Sequence, residues 1–247
     1  MRGTWFRKVT ASVLVNSVYA MMNYPVVLVN TVLSPIGFLL VVDFVSRGGL
    51  IDQAIEGGLI MSMFSNGMSL QRDLTHLKND FKLQDMVVSS PTTPAVYVFG
   101  MALSEIVDST PAIATLIILM AVIVKPTAFQ ALELACVMLL MFVASITIGF
   151  TLSTFSSDIV QSFAFSSLIS TLFSTLPPVY YPITYIPLPY RYLAYLSPTT
   201  YAAEIAQSTT GLLSLSSQSL TIDWLVLITV TVVLAFVSIR KARWREI

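Results

Sequence analysis

Six stretches of predominantly apolar residues divide this chain, and that pattern restricts it to a helical fold solvated largely by lipid. A hydrocarbon core ~30 Å thick needs about 20 apolar residues in a helix. The first stretch runs from Pro25 to about Ser46, where Arg47-Gly48-Gly49 makes a turn. The second, about Ala54 to Gln71, is weaker by hydropathy. The third spans about Ala95 to Val124, is overlong, and is expected to tilt or kink at Pro111. The fourth covers about Leu132 to Phe155, and the fifth about Ile159 to Leu176, rich in Ser and Thr. Trp224 to Ile239 is the last, followed at once by Arg240, Lys241, Arg243 and Arg245.

Composition agrees with a lipid-solvated chain. Only 11% of residues are charged, against about a quarter in a soluble domain, and mean hydropathy is +0.81. One cysteine, Cys136, excludes an intramolecular disulfide, and one histidine, His76, excludes a multi-histidine metal site. No metal site is expected. Basic residues are scattered or gathered at membrane edges, which gives nucleic-acid binding no support.

Residues 1–23 hold Trp5, Val9 and Val13 on one helical stripe, interrupted by Lys8, Thr10, Ser12 and Asn16. That pattern predicts an interfacial amphipathic helix. A signal peptide is the rival reading, and Asn16 and Asn23 spoil its apolar core. With the N-terminus in the cytoplasm and six spans, ten of the thirteen basic residues fall on the inner side. Both termini are therefore expected to be cytoplasmic.

Small side chains form two helical faces. Gly58, Ser62, Ser65 and Ser69 lie along the second span, and Ser145, Gly149 and Ser153 along the fourth. Both predict close helix approach. Met61, Phe64 and Met68 line a different face of the second span.

Catalytic signatures are missing from the sequence: there is no G-x-x-x-x-G-K-[ST] loop, no G-x-S-x-G elbow and no H-E-x-x-H. No catalytic residue is assigned. Glu105 and Asp108, three residues apart in the third span, are the notable carboxylates, because a buried charge there is costly unless paired or wet. They either face an inward cavity and meet a polar or cationic substrate, or pair with Arg72 or Lys82; the second reading is favoured. Ser166, Ser170 and Ser174 with Ser167, Thr171 and Thr175 either line a hydrated path or pack, and packing is preferred. Met61, Phe64, Met68, Glu105, Asp108, Ser170 and Ser174 make up the candidate lining of a substrate path.

After the fifth span, residues 177–208 carry Pro177, Pro178, Pro182, Pro187, Pro189 and Pro198 among tyrosines. Those prolines forbid one straight helix, and tyrosines favour the headgroup level. Short broken or re-entrant helices at the outer leaflet are predicted, with Glu204 near the outer rim and paired.

This segment resembles the C-terminal signature of the ABC-2 type permease family. The matching residues are Tyr180-Tyr181-Pro182, Ile186-Pro187, Leu193-Ala194 and Ser197-Pro198-Thr199-Thr200-Tyr201. Residues 72–94 resemble the family's coupling region, with Lys82, Leu83, Asp85, Met86, Val87, Val88, Ser89, Pro91 and Pro94 in its places. The chain departs from the family where Asn79-Asp80-Phe81-Lys82 replaces an acidic-Arg-x-x-Gly-Thr run and where Gln207 replaces a basic residue. The resemblance implies one all-α domain over 1–247, with six spans, in the plasma membrane. It also implies a non-catalytic permease of an exporter, paired with a second copy or a related chain and with two ATP-binding subunits. ATP and Mg would sit on those subunits and no cofactor on this chain. Phe81, Leu83, Gln84, Asp85, Met86, Val87, Val88, Ser89 and Pro91 would form the joint with the ATPase. The cargo would be amphipathic: a lipid-like molecule, a drug or a glycan. An ion-coupled secondary transporter would normally show repeat symmetry, and the two halves do not visibly repeat. A membrane scaffold is a further rival reading. An intramembrane enzyme is another, and the missing catalytic signatures count against it.

Overall fold

The computed structural model describes residues 2–79, 94–156, 158–175 and 177–241, and the regular elements among them are all helical. Helix α1 (Arg2–Val13) continues through a π-helical stretch (Leu14–Val18) into α2 (Tyr19–Asn23). The long helices are α3 (Pro25–Ser46), α4 (Ile51–Asn79), α5 (Pro94–Ile123) and α6 (Ala128–Phe155). They are followed by α7 (Ile159–Thr175), a 3-10 turn (Ile183–Tyr185), α8 (Arg191–Ala194), α9 (Pro198–Thr209) and α10 (Ser217–Lys241).

Local chemistry explains where the helices begin and end. Pro25 opens α3, where a missing N–H costs nothing. Gly48, at φ +82°, closes it by donating its N–H to the Asp43 carbonyl at 2.9 Å. Thr127 caps α6 in a reciprocal box with Gln130, the Thr-x-x-Gln signature. Helix α5 continues through Pro111 without a break.

Among the described residues, four segments are long and apolar enough to cross a membrane: Leu28–Ser46, Phe99–Ile123, Ala128–Ser153 and Ser217–Ser238. Six were expected from the sequence; α4 and α7 fall short of that standard. The reason for α4 is its position. It is the hub of the bundle, packed against α3, α5, α6, α7 and α9. Gln53, Glu56, Gln71 and Thr75 are all buried along it, so these polar side chains meet protein instead of lipid. The N-terminal helix α1 packs on the first turns of α5, where Gly100 lets Ser12 approach. Near the end of α10, Ser238 donates to the Thr147 carbonyl of α6 at 2.7 Å. Helix α1 and the last turns of α10 thus lie at one end of the bundle.

The core forms around α4 and α6. Gly67 of α4 and Gly149 of α6 face one another closely enough that a Cβ on Gly149 would lie 2.9 Å from the Gly67 carbonyl oxygen. Ser145 and Ser153 are buried on the same side of α6, so that small-residue face does pack against a helix. The other one does so only at its ends: Gly58, Ser62, Ser65 and Ser69 line a cavity, with Gly58 beside Leu116 and Ser69 bonded to Glu105 of α5.

Gln71, fully buried, joins α4 to α7. Its amide donates to the Ser162 carbonyl at 3.1 Å and to Ser156 Oγ at 3.3 Å, and its Oε1 accepts from Ser166 Oγ at 2.8 Å. Replacing Gln71 by Leu strands these groups in an apolar interior. The expected cost is ~2–4 kcal/mol, read as a lower melting temperature of the detergent-solubilised protein. An unchanged melt would mean that water takes over these bonds.

Candidate functional site

A cleft of about 710 Å³ opens between α3, α4, α5 and α7. Its chemistry changes along its length. Towards the end that holds α1, the lining is polar: Asn30 and Thr31 of α3, Asn66 and Ser69 of α4, and Glu105 and Asp108 of α5. Towards the other end come Phe38 and Leu39 of α3, Leu116 of α5 and Tyr180. Ser167, Ser170, Thr171 and Ser174 form the α7 wall.

Helical spacing places these groups. On α4, Ser62, Ser65 and Ser69 recur at intervals of three and four, so their short side chains leave space along one face. Ser69 Oγ sits between the Asn66 carbonyl oxygen, at 2.7 Å, and the Glu105 carboxylate, to which it hydrogen-bonds. Asp73, one turn beyond Ser69, and Asp108 are further carboxylates interacting with Glu105. This end of the cleft concentrates carboxyl and hydroxyl groups. Such a lining suits a polar or cationic group that can replace lost water.

The opposite end is closed by the chain that follows α7. A Cβ on Gly57 would overlap the Val179 carbonyl and lie 2.8 Å from its carbon, so that segment rests directly on the α4 backbone. The Tyr180 ring packs on Phe38 at 4.5 Å between centroids. The prolines of residues 177–208 do break the chain there into short pieces, as expected. Pro182 precedes the 3-10 turn, and Pro198 opens α9 with Ser197 Oγ capping the Thr199 N–H. Thr199 donates to the Phe173 carbonyl at 3.0 Å, and the Tyr201 hydroxyl donates to the Tyr195 carbonyl at 2.9 Å. Tyr181 stacks with Tyr185, and Pro187 is exposed. The motif residues therefore hold this segment onto α7 and α8. Glu204 is buried and accepts from the Tyr195 hydroxyl at 3.2 Å.

Of the candidate path residues, Met61, Glu105, Asp108, Ser170 and Ser174 line the cleft. Phe64 and Met68 do not: both are fully buried in the apolar core, and Phe64 packs its ring on Phe173 at 5.3 Å. Ser166 belongs to the Gln71 network, so the α7 hydroxyls divide between packing and the cleft. The side chain of Arg72, and Lys82 entirely, fall outside the described residues, as do Phe81, Leu83, Gln84, Asp85, Met86, Val87, Val88, Ser89 and Pro91. Asn30, Thr31 and Ser34 were not singled out from the sequence. Three polar residues at 30, 31 and 34 within an otherwise apolar span were the available signal.

Among the described residues no His, Cys, Asp and Glu group is arranged to hold a metal ion. Comparison with curated proteins gives no significant match. The sequence model of the ABC-2 type transporter family matches residues 8–210. Members of that family generally serve as the non-catalytic transmembrane component of an ABC transporter. With that match over most of its length and four helices suited to crossing a bilayer, the chain belongs to the ABC-2 type transporter family.

Proposed function

We infer that this chain is the permease subunit of an ATP-driven exporter and that the cleft carries an amphipathic substrate. The observation that supports this most directly is the gradient of polarity along the cleft: carboxyl and amide groups at one end, aromatic and aliphatic groups at the other, with the hydroxyls of α4 and α7 between them. A molecule with a polar or cationic head and an apolar body matches both ends. On this reading α4 and α7 are the remaining two spans. Their polar residues are tolerated because they face the bundle interior or the cleft.

The end holding Glu105 and Asp108 is the cytoplasmic one, following the distribution of basic residues. The Phe38–Tyr180 contact then closes the outer end, and export requires these rings to part. A separate ATP-binding subunit, docked on residues 81–91, would bias the cleft between inward-open and outward-releasing states. A second permease copy, identical or related, would complete the path alongside α4 and α7.

Transport into inverted membrane vesicles with a lipophilic cationic dye tests this reading. Ser65→Trp fills the cleft and is expected to lower ATP-dependent dye uptake tenfold or more, corresponding to ~1.4 kcal/mol or more, while leaving the ATPase subunit bound. Met86→Asp with Val87→Asp is expected to release that subunit. Dye uptake driven by an ion gradient, with no ATPase bound, would favour the secondary transporter instead.

A further inference from the structure

A second cavity shares no lining residue with the cleft. It is a groove of about 470 Å³ between α5 and α6, floored by Leu59 of α4, Met120 and Leu134, all deeply buried. That volume falls within the range of about 300–1,000 Å³ usual for small-molecule sites. Ala131 and Ala135, one turn apart on α6 and both exposed, leave its side open. The surrounding surface carries exposed Ile117, Ile118, Val122 and Leu132. Both walls belong to segments apolar and long enough to cross the bilayer, so the groove opens towards acyl chains.

A cation stands at its mouth. Lys125 lies at the end of α5 with Pro126 beside it, and both line the groove. The root of this lysine is fixed. Its backbone is left-handed, at φ 54°, and its N–H donates to the Met120 carbonyl at 2.9 Å. The next residues enter the Thr127–Gln130 capping box, and Gln130 Nε2 donates to the Thr209 carbonyl at 2.7 Å, tying the turn to α9. A lysine held at the rim of an apolar groove extends its aliphatic stem along the wall and presents its ammonium at headgroup level. Glu133, the acidic residue nearest along α6, does not line the groove.

We propose that the α5–α6 groove binds one acyl chain of an anionic phospholipid whose phosphate headgroup pairs with Lys125. Charge complementarity selects an anionic lipid over a neutral one, because among the described residues this lysine alone brings a charge to the lining. The bilayer already bathes this face, so the occupant is at hand without recruiting another protein. The inference is independent of what passes through the cleft.

Native mass spectrometry of the full chain, with any subunit that co-purifies, tests it. The chain is mixed in mild detergent with equal amounts of phosphatidylglycerol and phosphatidylcholine of the same acyl length. The expected result is preferential retention of phosphatidylglycerol as the most tightly held lipid. A basic residue near an anionic lipid surface contributes ~1 kcal/mol, about fivefold. Lys125→Gln should therefore lower phosphatidylglycerol retention about fivefold and leave phosphatidylcholine unchanged. Ala135→Phe, which fills the groove from its open side, should lower retention of the anionic lipid even with Lys125 intact. Equal retention of both lipids in the unaltered chain would overturn the anionic assignment. Unchanged phosphatidylglycerol retention in either variant would overturn the site. Disulfide cross-linking of Ala135→Cys to another polypeptide in native membranes would show a protein helix in the groove and also defeat the proposal.

Discussion

Gly67→Ala is expected to remove most of the correctly folded protein. A Cβ at that position would overlap Ser145 Oγ and lie 2.7 Å from Ser145 Cβ and 2.8 Å from the Ile146 backbone nitrogen. Rotating one side chain does not relieve this. Ser145 Oγ is held by the Phe142 carbonyl at 2.9 Å and the Met63 carbonyl at 3.3 Å, and Ile146 N belongs to the α6 backbone. The two helices must separate, and their contact is the centre of the core. Overpacking a well-filled interior costs ~1–3 kcal/mol, and a clash with backbone belongs at or above the upper end. Size-exclusion profiles and thermal melts in detergent measure the effect. The double variant Gly67→Ala with Ser145→Gly should recover part of the loss, because the Ile146 contact remains. Gly37→Ala is the control: nothing lies within 4 Å of its added Cβ, so little change is expected. A Gly67→Ala protein that melts like the unaltered chain would mean the two helices are farther apart than described.

Glu105→Gln is expected to lower transport at least tenfold while folding and subunit assembly persist. Glutamine keeps the size of the side chain and can still hydrogen-bond to Ser69, so the packing of α4 against α5 survives. What it loses is the ionisable carboxyl group facing the cleft, and with it the means to pair with a cationic head. The difference is separable in one preparation: vesicle transport reports the carboxyl group's role in the cleft, and co-purification of the ATPase reports assembly. Lost assembly with the same substitution would assign Glu105 to a structural ion pair, the reading favoured from the sequence alone. Asp108→Asn is expected to act in the same direction and less strongly. Asp108 is less buried than Glu105, and water screens its charge better.

Helix ends were legible in the residues because they depend on local chemistry. Arg47-Gly48-Gly49, Lys125-Pro126 and Pro177-Pro178 stop helices through backbone preferences that no neighbour needs to supply. The four strongest spans were legible for a related reason: their outward faces meet lipid, so length and apolarity are both required. The broken segment before the last span followed from its prolines, and its tyrosine ties fit the signature that marked the family.

The site was half legible. A run of Gly and Ser along a helix gives the same pattern whether another helix fills the space or nothing does. Ser145 and Gly149 meet Gly67, while Ser62, Ser65 and Ser69 face an opening. Met61, Phe64 and Met68 likewise share a side of α4 by spacing. Phe64 packs on Phe173 in the core, while Met61, buried in the same core, also reaches the cleft. The sequence by itself determined a lipid-solvated helical chain, its turns and its family, because hydropathy and turn chemistry act residue by residue. The tertiary structure decided which helix became the buried hub and which polar face stayed open. Those outcomes depend on side chains far apart in the chain filling, or failing to fill, the same space.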